Sequence, residues 1–169
     1  SFLHSYKKNE EVKISAYTDF LTGCYNRKIF EKITDKNILT YNCALFVIDI
    51  DYFKKINDNY GHDKGDVAIK NTAEILKSAV RKDYDIVIRF GGDEFLIVCK
   101  ELDDVYFIYN RIINNEIYKK NKDLITYSIG TYKALKGQSI FDAIKLADTA
   151  LYKSKENGRN QLTEFERML

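Results

Sequence analysis

The sequence contains no proline and no tryptophan, one methionine and only three cysteines in 169 residues. Set beside thirteen Tyr, ten Phe and frequent Asn, Lys and Ile, the missing Pro and Trp read as compositional drift as much as function, and no mechanism follows from them. Cys24, Cys43 and Cys99 stand far apart and lack the short paired spacing of a zinc site or a redox motif, which leaves reduced thiols in a cytosolic protein. Long apolar runs are missing too: Ala44 to Ile48 falls far short of the ~18 residues a membrane helix needs, and no signal-peptide pattern is present. Charge of one sign is also lacking. Against 27 basic side chains stand 25 acidic ones, a net charge of +2, so no nucleic-acid or membrane footprint exists at this level and any anion binding must be local.

With 45% apolar residues the chain is long enough for one good core and too short for two comfortable domains. Residues 1–17 place Leu3, Tyr6, Ile14 and Tyr17 at roughly helical intervals, which predicts a leading helix over residues 1–18 ahead of a domain over 19–169. The opening at Ser1 and the charged stretch from Lys7 to Glu11 read as part of something larger. Thr22-Gly23 breaks the helix, and Asn26 caps a second one running to about Asp35. Cys43 to Asp49 is continuously apolar and predicts a central strand covered on both faces. Helices are expected over Tyr52 to Tyr60 and Asp66 to Val80, separated by a loop between Gly61 and Gly65. Two strand-like runs, Asp85 to Phe90 and Glu94 to Cys99, flank Gly91-Gly92, a preferred pair for a tight hairpin turn. A helix over Asp103 to Asn115, a strand from Leu124 to Ile129 ending at Gly130, and a helix over Ser139 to Asn157 complete the reading. The whole is a central sheet with helices packed on it, without internal repeats.

Several residues are candidates for chemistry. Asp49 ends the buried strand, where α/β folds present ligand groups, although a lone Asp there is a turn or cap residue as often as a metal ligand. Asp51 reads as the cap of the helix beginning near Tyr52. Asp93 and Glu94 follow the glycine pair. As turn decoration they are unremarkable, but if the hairpin lies beside the strand ending at Asp49, Asp49 and Asp93 converge. Converging carboxylates without Cys or His favour Mg²⁺ or Mn²⁺ and phosphoryl transfer on nucleotides. Lys54, Lys155 and Arg159 are phosphate partners in that setting; alone, each reads as helix surface or as a complement to a helix C-terminus. His4 and His62 lie in a polar helix and a glycine-bounded loop, and give no support to His general-base catalysis.

Together these segments resemble the GGDEF family of diguanylate cyclases. Gly91-Gly92-Asp93-Glu94-Phe95 spells the signature, and Asp49 with Tyr52-Phe53-Lys54-Lys55-Ile56-Asn57-Asp58, Gly61-His62 and Gly65-Asp66 matches the second long motif. Asp19-Phe20-Leu21-Thr22 with Asn26-Arg27 is similar to the family's opening motif, and Lys155 with Gly158-Arg159-Asn160 to its closing one. The resemblance implies an α/β (α+β) fold with a palm-like, ferredoxin-related sheet whose hairpin carries the signature. It implies condensation of two GTP into cyclic di-GMP with release of pyrophosphate, by a dimer of domains using Mg²⁺ or Mn²⁺. It also implies roles: Asp49, the Ile50 carbonyl and Asp93 on the metal; Asp93, Glu94 and Lys54 in catalysis; Asn57 and Asp66 on guanine, with Tyr52 and Phe53 beside them in substrate binding; and Lys54, Lys155 and Arg159 on the triphosphate. A carboxylate at Asp66 accepts from the N–H groups of guanine and would meet an acceptor on adenine, so GTP is expected over ATP.

One position departs from the family's pattern. Many members carry Arg-x-x-Asp before the signature as an inhibitory site for their product; here Lys82 and Asp85 occupy those positions, with Arg81 one residue out of register. Arg81 is expected to serve only if the segment slips by a residue. The alternative function is an inactive GGDEF domain acting as a GTP sensor or cyclic di-GMP receptor, against which stand the intact signature, Asn57 and Asp66. A template-directed polymerase palm lacks the basic surface nucleic acid demands. The expected setting is the cytoplasm, with an N-terminal sensory or regulatory domain in the full-length protein and this segment outside any membrane.

Overall fold

A computed structural model of the chain describes Ser5, Lys8 and residues 15–166. The leading helix expected over residues 1–18 therefore lies largely outside the described residues; Ser15 and Ala16 are helical and the chain turns at Tyr17. Asn26 does cap the next element, its side chain accepting from Lys28 N at 2.9 Å at the start of a 3₁₀ turn, Arg27–Ile29, that runs into α1, Phe30–Ile33. This helix ends two residues short of expectation because Thr34–Asp35 (β1) pairs with Ile38–Leu39 (β2) across Lys36 and Asn37, both in the left-handed region.

β3, Cys43–Ile50, is the middle strand, as its apolarity predicts, and it alternates between two cores. Ala44, Phe46, Ile48 and Ile50 pack on one side with residues of α3 (His62–Ala79) and α4 (Tyr106–Ile113). Cys43, Leu45 and Val47 pack on the other with residues of α6 (Ile140–Glu156). Each fully buried Phe, Leu or Ile of this strand contributes about 1.5–3 kcal/mol relative to exposure. β4 (Asp85–Gly91) and β5 (Glu94–Lys100) form the expected hairpin, and β6 (Tyr127–Ala134) and β7 (Gln161–Glu164) complete a sheet of order β4-β5-β3-β6-β7. β3 is antiparallel to β5 and β6, whereas β6 and β7 run parallel, joined through α6. Cys24, Cys43 and Cys99 are free and buried, and burial pushes the Cys43 thiol up to about 12. No described helix is long and apolar enough to cross a membrane.

Four readings of glycine and helix ends are corrected. Gly61, with φ of 85°, is the break after α2 (Phe53–Tyr60), but Gly65 lies inside α3 rather than in a loop. A Cβ there would lie 1.9 Å from Asn57 Oδ1, so the glycine makes room for a side chain rather than for a turn. Gly130 does not end its strand but sits within β6, where α6 approaches too closely for any side chain. The helix expected to Asn115 stops at Ile113, and a second short helix, α5 (Glu116–Asn121), begins with Asn115 as its cap. The two residues of the hairpin turn are Gly92 and Asp93, since Gly91 pairs with Glu94.

Candidate active site

β3 delivers Asp49 to the α6 side of the sheet, on the face that carries Leu45 and Val47. In register across the antiparallel pair stands Glu94, so the two carboxylates share one face. The ladder shifts register between Arg89 and Gly91, and Gly92 takes a φ of 55° at the first turn position, which sets Asp93 at the tip. Ile50 N then donates to the Asp93 carbonyl at 3.4 Å, fastening the turn beside the end of β3. Lys155, in the last turn of α6, donates through Nζ to Asp49 Oδ2.

Most of the expected residues meet here. Asp49, Ile50, Asp93 and Lys155 line a cavity of about 380 Å³, and Tyr52, Phe53, Lys54, Asn57 and Arg159 line the same space. Glu94 and Asp66 do not line it. Glu94 is Asp49's cross-strand neighbour, and Asp66 is exposed on the first turns of α3, one residue beyond Gly65. Asn57 Oδ1 is buried without a hydrogen-bond partner, tucked into the space that Gly65 leaves open.

Burial and the charge of Asp49 raise the acidic groups around it. Burial and then Asp49 hold the Asp93 carboxyl above its ordinary value, and burial, Asp49 and Asp148 do the same for Glu94, with Arg27 opposing. Asp148, which the sequence reading passed over, is raised by burial and by Asp49 against the pull of Lys155. Its one signal was helical: it precedes Lys155 by two turns of α6 and so lies on the same face. Among the described residues no three His, Cys, Asp or Glu side chains form a metal-binding group. Two carboxylates and a carbonyl, all hard oxygen donors, nevertheless fit a Mg²⁺ or Mn²⁺ that keeps waters and takes its other ligands from substrate phosphates. The mutual repulsion felt at Asp93 is what such a cation would relieve.

Asp51 does not cap α2. That helix starts after Tyr52, whose φ of 54° is left-handed, with no side-chain cap. The Asp51 carboxylate is buried, accepting from Thr126 Oγ1 at 2.7 Å, Ser128 Oγ at 2.5 Å and Asn160 N at 3.0 Å.

Sequence reasoning also missed Arg89. Its guanidinium donates to the Gly92 carbonyl from Nε at 3.1 Å and Nη2 at 2.8 Å, and its Nη1 lies 3.3 Å from both oxygens of Asp19. The opening motif is thereby tied to the signature turn. Despite burial, hydrogen bonds from Thr22 and the charge of Arg89 keep the Asp19 carboxyl below its ordinary value.

At the inhibitory-site positions, Arg81 reaches Asp85 without any slip. Arg81 N, Nε and Nη2 donate to the Asp85 carboxylate at 2.7, 3.0 and 2.8 Å, and Nη2 also reaches the Lys100 carbonyl at 2.6 Å. The strand stays in register, Asp85 opposite Cys99, because a turn closed by Asp85 N to Arg81 O at 3.0 Å brings the guanidinium round. Lys82 borders a separate cavity of about 350 Å³ with Asp85 and Lys77.

Known proteins resemble this chain over most of its length. Residues 16–161 match the family model described as diguanylate cyclase, GGDEF domain. The chain is 34% identical over 162 residues to diguanylate cyclase DgcM of Escherichia coli, covering 90% of this chain and 39% of that protein. It is also 34% identical over 158 residues to diguanylate cyclase DgcZ of the same species, covering 88% and 53%. The chain thus spans roughly two fifths to one half of these curated relatives. Its fold is similar to the coiled coil and GGDEF domain of DgcB from Caulobacter crescentus in complex with c-di-GMP, with a TM-score of 0.81 at 27% identity over 96% of this chain and 93% of that one. The chain belongs to the GGDEF family of diguanylate cyclases.

Proposed function

We propose that this domain condenses two GTP molecules into cyclic di-GMP, releasing two pyrophosphates, as a dimer of domains. The observation that carries the reading is the meeting of Asp49 and Asp93 at a cavity also lined by Lys54, Lys155 and Arg159. Each domain holds one GTP. The 3′-hydroxyl of one nucleotide attacks the α-phosphorus of the other, the bond to pyrophosphate breaks, and the facing domain repeats the step to close the two-fold symmetric ring. A bound Mg²⁺ or Mn²⁺ supplies charge stabilisation at the reacting phosphates, with Asp49, the Ile50 carbonyl and Asp93 as its protein ligands.

Lys54, Lys155 and Arg159 hold the triphosphate, and Lys155, which donates to Asp49 here, would be free for phosphate once Asp49 served a cation. Glu94, on the face of Asp49 and held above the usual carboxylate range, is suited to take the proton of the attacking hydroxyl. Asn57, which lines the cavity, and Asp66 read the guanine edge. Tyr52 and Phe53 line the substrate space. Residues 1–18 serve as a stalk that brings two copies of the domain over 19–169 together, under an N-terminal sensory or regulatory domain. Relatives about twice the length of this chain support the presence of a further domain, and the solved complex of diguanylate cyclase SiaD with its activator SiaC supports control by a regulatory partner. A GTP substrate supports a cytoplasmic setting for the reaction.

The test is the initial rate of cyclic di-GMP formation from GTP and Mg²⁺ against protein concentration. The rate is expected to rise faster than linearly. Strict proportionality in a verified monomer would remove the two-domain arrangement.

A further inference from the structure

The longest run of positive φ among the described residues is in the loop that carries Arg159. Gly158, Arg159 and Asn160 follow one another at 111°, 63° and 48°. Asn tolerates this region, but Arg159 bears a side chain for which it is unfavourable, so surrounding contacts must hold the loop there. One contact comes from Asp51, whose buried carboxylate accepts from Asn160 N while two hydroxyls at the start of β6, on Thr126 and Ser128, fix its other lone pairs. The next residue supplies a second. Tyr52 is left-handed and exposed, and its ring centroid lies 4.7 Å from Arg159 Cζ and 4.7 Å from Lys55 Nζ.

We propose that Asp51 and Tyr52 are positioning residues for Arg159. Asp51 fixes the backbone of the loop from inside the sheet edge, and the Tyr52 ring holds the guanidinium at the cavity that both side chains line. The left-handed turn at Tyr52 is what lets two consecutive residues do this, sending the carboxylate inward and the ring outward. Arg159 has long, flexible torsions and a fork whose donors serve phosphate only when aimed. A ring beneath it and a fixed backbone behind it remove much of that freedom before substrate arrives. The proposal rests on the reading of Arg159 as a triphosphate ligand.

A double-mutant cycle tests it. Tyr52→Leu, Arg159→Ala and the pair are compared by KM and kcat with GTP and Mg²⁺, and by the Kd for a GTP analogue with a methylene between the α- and β-phosphates. Tyr52→Leu is expected to raise KM and Kd about two- to fivefold, the size of an exposed cation–π contact, with kcat little changed. Tyr52→Phe keeps the ring under Arg159 and is expected to recover most of the binding that Tyr52→Leu loses, and only where Arg159 is present. In the Arg159→Ala background Tyr52→Leu should add nothing, because it acts through the missing guanidinium.

Asp51→Asn retains an acceptor for Asn160 N–H and is expected to stay within about twofold in KM; Asp51→Ala is expected to weaken binding more than Tyr52→Leu, again only where Arg159 is present. If Asp51→Ala does not fold, the Tyr52 cycle decides, since that ring is exposed. Additive effects of Tyr52→Leu and Arg159→Ala in an unmodified protein that turns GTP over would overturn the proposal alone. An unmodified protein that binds no GTP would overturn the site reading and the proposal with it.

Discussion

Gly130→Ala adds one methyl group at a place where two backbones touch. The new Cβ would lie 2.1 Å from the Ala147 carbonyl oxygen, 2.1 Å from Leu151 N and 2.7 Å from Leu151 Cα. All three atoms belong to the main chain of α6, so no rotamer change relieves the clash; restoring ordinary contact moves the helix off β6 by about 1.3 Å. Overpacking of this kind costs about 1–3 kcal/mol, and a rigid helix backbone on one side and the middle of a sheet on the other put the cost near ~3 kcal/mol. For a domain of this size that lowers Tm by about 6–12 °C. The same displacement carries Lys155 away from Asp49, and a misplacement of about 1 Å can cost on the order of 100-fold in rate. Thermal unfolding followed by circular dichroism and the rate of product formation from GTP measure the two effects. Gly137→Ala is the control: nothing lies within 4 Å of its Cβ, and only the φ of 94° is unfavourable, which predicts about 1–2 kcal/mol. A Gly130→Ala protein melting within about 2 °C of the unmodified one would refute the close-approach argument.

Two further outcomes are expected. Arg81 spends its fork on Asp85 and the Lys100 carbonyl, and Lys82 offers only a point charge, so added cyclic di-GMP should inhibit initial rates weakly; strong inhibition lost in Asp85→Ala would show that Arg81 or Lys82 serves the product after all. For pH, Asp93 and Glu94 have carboxyls raised above 3.8 and 4.5, so the folded chain holds protons that the unfolded chain releases. Their contribution to stability is therefore present at low pH and lost as pH rises through the raised values. Mg²⁺ should reverse that loss, raising Tm more at pH 7.5 than at pH 5, and Asp93→Asn should cut the increment; an equal Mg²⁺ effect at both values would contradict it.

Where the sequence was legible, local chemistry and tertiary structure agreed. The unbroken apolarity of Ala44 to Ile48 could only suit a strand covered on both faces, and both cores lie against it. The helix expected over Ser139 to Asn157 is α6, with Ser139 as its cap, and Gly91-Gly92 announced the hairpin although the turn sits one residue later. What was missed depends on partners distant in sequence. β7 is a polar, half-buried segment that becomes a strand only by pairing with Ser128 to Thr131. Gly65 and Gly130 look like breakers, yet each exists to admit another group, the Asn57 amide in one case and the α6 backbone in the other. In the site, the motifs marked Asp49, Asp93, Lys155 and Arg159. Arg89 and Asp148 carry no comparable signal, because their relation to the signature turn exists only once the hairpin meets residue 19 and the last helix. Asp51 was placed on the wrong partner for a related reason: Tyr52 turns left-handed, and the carboxylate swings inward to a loop more than one hundred residues on.

The central claim is that the carboxylates around β3 and the signature turn make cyclic di-GMP from GTP. Its most direct test is the stoichiometry of the products formed from GTP and Mg²⁺ by the unmodified protein and by Asp93→Ala, separated by chromatography with pyrophosphate assayed in parallel. The account predicts one cyclic di-GMP and two pyrophosphates for every two GTP consumed, and no turnover by an Asp93→Ala protein that is otherwise folded. GTP bound but unconsumed by the unmodified protein, or the same products formed by Asp93→Ala, would contradict it.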